Sequence, residues 1–124
     1  MGILISVALG GAVGSVLRYL LSRLVQEKAG IEFPLGTLFV NLVGAFLIGL
    51  AFSYLVERMT LSPELRAVII TGFLGGLTTF STFSYESYSL LMDGEITKLL
   101  LYVLGTNAVG ISMTLLGYNL GRVL

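Results

Sequence analysis

The sequence predicts an all-α integral membrane protein with four transmembrane helices, the third of them broken near the bilayer midplane. Three observations predict it. Of 124 residues, 56% are apolar and only 11% charged, whereas a soluble domain carries about a quarter charged residues. The charges also leave four empty runs, 1–17, 33–56, 67–85 and 99–121, each close to the roughly 20 residues that take a helix across a hydrocarbon core of about 30 Å. Finally, the centre of the third run reads Gly75-Gly76-Leu77-Thr78-Thr79-Phe80-Ser81-Thr82-Phe83-Ser84, a poor helix former in the middle of a span.

The first span is expected over residues 2–25, with Arg18 and Arg23 toward its far end. Residues 26–33 are polar, contain glycine and read as a loop. Pro34 suits the first turn of a second span over 34–56, because that turn needs no N–H there. After a connection over 57–62, Ser62-Pro63-Glu64 has the N-cap-then-proline pattern of a helix start. The third span is expected over 64–92, a short turn over 93–97 and the fourth span over 98–121. With no linker and no long repeat, residues 1–124 read as a single domain.

As one α-helix, residues 64–92 would extend about 43 Å, well beyond the hydrocarbon thickness. The hydroxyls after Gly75-Gly76 compete for backbone hydrogen bonds. A break at this depth frees N–H and C=O groups that survive only against protein or in a water-filled cavity, an arrangement that recurs at ion sites in transport proteins. The alternative is a helix that merely bends, its hydroxyls bonding back to the preceding turn.

Several classes of function are excluded. There is no Cys and no His, which removes thiolate chemistry and the usual zinc or haem ligands. The net charge is zero and no basic cluster exists, so nucleic-acid binding has no electrostatic footing. The connections leave no room for a soluble catalytic domain, and no enzymatic activity is expected. Nor is a cleavable leader expected, since the N-terminus lacks a basic segment and a small-residue cleavage pattern.

Cytoplasmic flanks of membrane helices normally carry an excess of Lys and Arg. Here one side holds Arg58, Arg66 and Arg122 and the other Arg23, Lys28 and Lys98, with Arg18 deeper in the first span. Either both orientations form and pair as an antiparallel dimer, or weaker cues choose one. Glycines spaced by four at Gly10/Gly14, Gly72/Gly76 and Gly117/Gly121 would let helix backbones approach closely.

The polar residues at membrane depth are few. Asn41, with Thr37 a turn earlier, either donates to a passing solute or only holds two helices together; an unpartnered buried amide is costly. Tyr102, Thr106 and Gly110 share a face of the fourth span at four-residue spacing, while Asn107, Ser112 and Thr114 are expected on other faces. Glu86 is the only carboxylate well inside a span, either a vestibule or proton-linked group or an interfacial side chain reaching water. Phe80 and Phe83 fall on one side of a helix, with Ser81, Thr82 and Ser84 around them and no Lys or Arg between. Ring edges are positive, so this set could cradle a small anion with neutral donors, which release an ion more readily than a buried arginine would.

These residues carry a resemblance. Gly10-Gly11-x-x-Gly14-x-x-x-Arg18-Tyr19, Pro34-x-Gly36-Thr37-Leu38-x-Val40-Asn41-x-x-Gly44-x-Phe46 and Thr71-Gly72-Phe73-x-Gly75-Gly76-x-Thr78-Thr79-Phe80-Ser81-Thr82-Phe83-Ser84-x-Glu86 closely resemble the Fluc (CrcB) family of fluoride channels, in order and at family-like spacing. The resemblance implies a multi-pass protein of the bacterial inner (plasma) membrane, an antiparallel, dual-topology homodimer with two pores that export fluoride passively. By motif position it implies Phe80 and Phe83 as the pore-lining rings and Asn41 as the amide that orients them and donates to fluoride. Ser81 and Thr82 would belong to a hydroxyl track, with Thr37 and Glu86 near its ends. Tyr102 and, more loosely, Thr106 would be pore-side, whereas Gly110 offers no donor. The backbone carbonyls of Gly75 and Thr78 would bind a structural Na⁺ on the dimer axis. Arg18 matches the family's first-span arginine, with its role open.

Two rival readings remain at this level. A small dual-topology, proton-coupled exporter of organic cations would need a membrane-embedded carboxylate, for which Glu86 is the one candidate. A non-transporting assembly subunit would use its polar residues only to join helices.

Overall fold

Four helices long and apolar enough to cross a membrane account for nearly all of residues 2–124, the part of the chain that the computed structural model describes. Helix α1 is Gly2–Ala29. It runs past the expected end at 25 because Arg23 and Glu27 pair one turn apart (Nε to Oε1 2.8 Å). The helix stops where Gly30 adopts φ +90°, the left-handed conformation that ends helices. Helix α2 spans Leu35–Arg58. Its last two turns are widened, closing with Met59 N–H on Tyr54 O, five residues back.

The third span opens as expected. Ser62 Oγ accepts from the Leu65 N–H at 3.3 Å and Pro63 follows in the first turn. Helix α3 covers residues 63–77, its central turns again wide, with the Gly75 N–H reaching Ile70 O. Thr78 (φ −99°, ψ 158°) and Thr79 (φ −148°, ψ 123°) are extended. Helix α4, Phe80–Met92, follows, capped by Thr79 Oγ1, which accepts from the Thr82 N–H at 3.3 Å. After a turn at Gly94 (φ +74°), helix α5 runs Ile96–Val123, starting two residues before the expected 98.

The helices pack as two close pairs. On α1, a Cβ added at Gly14 would lie 2.2 Å from Phe73 O of α3, and one at Gly72 would lie 3.0 Å from Gly10 Cα. The first two glycine pairs of the sequence therefore face each other. The third pair meets α2 instead: a Cβ at Gly117 would lie 2.1 Å from Phe46 O, and one at Gly49 would lie 2.1 Å from Thr114 O. Such backbone approach is what small residues allow where lipid supplies no hydrophobic drive between helices.

Little is buried within one chain. One apolar cluster joins Ala51, Leu74 and Leu77, packed by Leu17, Leu47, Ile48 and Phe73. The other joins Phe83, Leu90 and Tyr102, packed by Phe33, Leu38, Leu99 and Val103. Large apolar side chains such as Leu9, Val13, Leu20, Leu104, Ile111 and Leu115 are exposed along the helices, as befits surfaces that face lipid or another copy rather than water.

Candidate functional site

The two extended residues between α3 and α4 organise the polar interior. Thr78 ends the helical ladder with both its N–H and its Oγ1 on Leu74 O, each at 3.2 Å. The next N–H, which a continuing helix would turn back to Gly75 O, donates instead to Asn41 Oδ1 at 2.7 Å. Asn41 Nδ2 in turn donates to Thr79 O at 3.1 Å. The Asn41 amide thus pairs with the N–H and C=O of Thr79 as a residue on a neighbouring strand would, standing in for helical bonding at the break. The Gly76 carbonyl is taken by Arg18 Nε at 3.0 Å, which supplies a position for the arginine whose role the sequence leaves open. The Thr82 N–H goes to Thr79 Oγ1, so Thr78 O also loses its helical donor.

A groove of about 480 Å³ lies against this segment, lined among others by Asn41, Gly75, Thr78, Phe80, Phe83 and Thr106. None of its lining residues is charged. Phe80 is 77% exposed and Phe83 only 8%; their ring centroids are 5.7 Å apart at 47°. The aromatic contact continues inward, with Phe83 5.0 Å from the buried Tyr102 and Tyr102 5.7 Å from Phe33, edge to face. Thr106 Oγ1 is buried and, among the described residues, has no hydrogen-bond partner.

A second cavity, about 460 Å³, sits beyond Tyr102 and is lined by Thr37, Thr82 and Glu86 together with Tyr19, Arg23 and Gln26. The Tyr102 hydroxyl donates to Glu86 Oε1 at 2.7 Å, so the carboxylate is tied to the fourth span. Of the residues singled out in the sequence, Asn41, Phe80, Phe83, Thr106, Gly75 and Thr78 therefore meet at the groove. Thr37, Thr82 and Glu86 meet at the second cavity, and Tyr102 lies between. Ser81 is exposed and lines neither; its hydroxyl is 3.4 Å from Thr79 Oγ1.

Three expectations are corrected. Thr114 does not lie on another face: it lines the groove and its Oγ1 donates to Ala45 O at 2.8 Å. The signal was available, since residue 114 continues the four-residue series from 102 through 106 and 110. Asn107 lines the groove as well, with its Nδ2 on Val103 O at 2.8 Å. Gln26, placed in a loop by the sequence, is helical and makes three hydrogen bonds through its side chain.

The carbonyls of Gly75 and Thr78 are neutral oxygens whose helical donors have been diverted, and both residues line the groove. That donor set suits a hard cation, which takes oxygen ligands. Two such oxygens are too few to complete a shell within one chain.

Fold and site together define a small multi-pass helical membrane protein with an uncharged polar groove beside a non-helical turn of its third span. The chain belongs to the CrcB family: residues 5–118 match the family described as CrcB-like protein, Camphor Resistance (CrcB). Among its relatives, a protein of Aquifex aeolicus (strain VF5) named fluoride-specific ion channel FluC is 64% identical over 124 residues, covering 100% of both chains. Proteins of the same name from Hahella chejuensis and Thermus thermophilus are 54% and 52% identical, covering 82% and 95% of this chain and 80% and 94% of their own.

Proposed function

We propose that this chain is a fluoride-selective channel that lets F⁻ leave the cell passively across a bacterial inner membrane, as an antiparallel dimer with two pores. The observation that carries it is the groove in which Phe80 and Phe83 adjoin Asn41 with no charged side chain in the lining. Fluoride is strongly hydrated, and conduction needs sites that replace its water shell yet let it go. Ring edges and neutral N–H and O–H donors meet both needs, while a buried guanidinium would hold the ion. Arg18, whose Nε donates to Gly76 O, is absent from that lining.

In this reading the two extended threonines are a functional break at the bilayer midplane. Asn41 holds that break through Thr79 and so aims Phe80, which starts the next helix; the second N–H of its amide serves the ion. Thr106 contributes its unpartnered hydroxyl, and Ser81 and Thr82 continue the hydroxyl track. Thr37, Tyr102 and Glu86 form the far end, where the second cavity opens to water. Larger anions are rejected because the gap between ring edges is narrow.

The exposed ring of Phe80 and the open groove support a second copy covering this face. Gly75 and Thr78 from two copies would supply four carbonyl oxygens, and a Na⁺ held there would pin the two broken helices together. Balanced flanking charges support opposite orientations for the two copies. The organic-cation exporter draws no support: its one candidate carboxylate is bonded to Tyr102.

The deciding experiment is efflux from liposomes containing only the purified protein, comparing fluoride, chloride and an organic cation. Fluoride alone is expected to leave. Absence of fluoride efflux would overturn the reading and favour a non-transporting subunit; efflux of the cation would favour the exporter.

A further inference from the structure

The last turns of α1 carry a side chain whose bonding the channel reading has not used. Gln26 stands one turn beyond Ser22, where α1 and α2 touch so closely that a Cβ at Gly36 would lie 2.2 Å from Ser22 O. Its Nε2 donates to Phe33 O at 2.8 Å and also to Gly30 O, while its Oε1 accepts from the Gly36 N–H at 3.0 Å. Only this orientation of the amide fits, because the NH₂ faces two carbonyls and the oxygen faces an N–H.

The bonds have two consequences. Helix α2 begins after Pro34, which makes no side-chain cap, so Gln26 satisfies an otherwise orphaned N–H of its first turn from a neighbouring helix. It also ties down Phe33, whose ring meets the fully buried Tyr102 edge to face at 5.7 Å. Tyr102 is in turn 5.0 Å from Phe83 and bonded to Glu86. The four rings Phe33, Tyr102, Phe83 and Phe80 form one continuous ladder from the connection to the groove, and Gln26 grips its outer end.

We propose that Gln26 is a positioning residue for conduction: its three-point strap fixes Phe33 and the start of α2, and thereby the ring ladder and Thr37 that border the ion path. The inference rests on the channel reading. With the strap gone, the backbone of residues 30–36 loses three bonds and Phe33 no longer presses a fixed edge on Tyr102.

The test uses the full-length protein in planar bilayers, reading fluoride current per open channel and the fluoride-to-chloride ratio separately from the number of channels. Gln26→Met keeps length and removes every amide bond; it is expected to lower the current per channel about threefold to tenfold, the scale set by losing hydrogen bonds at partly buried groups, and to lower the fluoride-to-chloride ratio. Phe33→Leu is expected to do the same with the strap intact, and the double variant to lose no more than the worse single one, because both act through one contact. Fewer channels of unchanged current in Gln26→Met would mean a folding role and overturn the proposal. Should that variant yield no folded protein, unchanged current in Phe33→Leu overturns it equally, and so do additive losses. Wild-type bilayers that carry no fluoride current would instead sink the channel reading itself.

Discussion

Asn41 and the two phenylalanines concentrate the chemistry at the residue scale. Asn41 gives an acceptor to the Thr79 N–H and a donor to the Thr79 carbonyl. Asn41→Asp keeps the acceptor, loses the donor and adds a negative charge to a groove that has no charged side chain in its lining, where it would repel an anion. Fluoride efflux from liposomes is expected to fall by about tenfold or more; normal rates would place Asn41 outside the path. Phe80→Ile and Phe83→Ile roughly keep volume but lose the polarised ring edge, so each is expected to cut efflux sharply while size-exclusion profiles show the assembly unchanged. Normal flux in both would reduce the rings to packing. Glu86→Gln is expected to leave fluoride passage at least partly open, since the neutral amide oxygen still accepts from the Tyr102 hydroxyl.

Helix pairing depends on glycine at contacts where any side chain would strike backbone. Gly14→Ala would place a methyl 2.2 Å from Phe73 O, forcing α1 away from α3. Overpacking of this kind costs about 1–3 kcal/mol, so the thermal transition in detergent is expected to drop by several degrees. Gly105→Ala is the control: nothing lies within 4 Å of the added Cβ, and a stability like that of the parent protein is expected. Loss of stability in the control but not in Gly14→Ala would contradict the α1–α3 contact.

At the scale of the whole molecule, the questions are orientation and assembly. The chain has no cysteine, so a single introduced one reports cleanly. Ile31→Cys lies in the α1–α2 connection, where residue 31 is 97% exposed. An impermeant thiol reagent added to intact cells is expected to label about half the copies, as opposite insertion of equal populations requires. Labelling of all or none would rule out the antiparallel dimer. Exchange of Na⁺ for a large organic cation is expected to lower the dimer's thermal stability, by mass action on a bound ion. Identical transitions would argue against a cation on the Gly75 and Thr78 carbonyls.

Much of the architecture was legible residue by residue. The uncharged runs mark four spans because lipid admits few charges, Ser62-Pro63 marks a helix start, and the paired glycines mark close approach. Gly75-Gly76 with its hydroxyl run marks where regular hydrogen bonding weakens. Helix ends were less legible: Arg23 and Glu27 carry α1 onward through a local ion pair that composition does not weigh. The Thr114 face was legible and misread, since it follows from four-residue spacing alone.

What the sequence by itself determined is membrane residence, four spans, a charge-free polar centre and membership of a family, all of which follow from local composition and motif. Only the tertiary structure decided which orphaned backbone group meets which side chain. Asn41 on Thr79, Arg18 on Gly76, Tyr102 on Glu86 and Gln26 on Phe33 and Gly36 join residues between 7 and 58 positions apart. Such bonds depend on how whole helices cross, and periodicity along one helix carries no information about the partner across the gap.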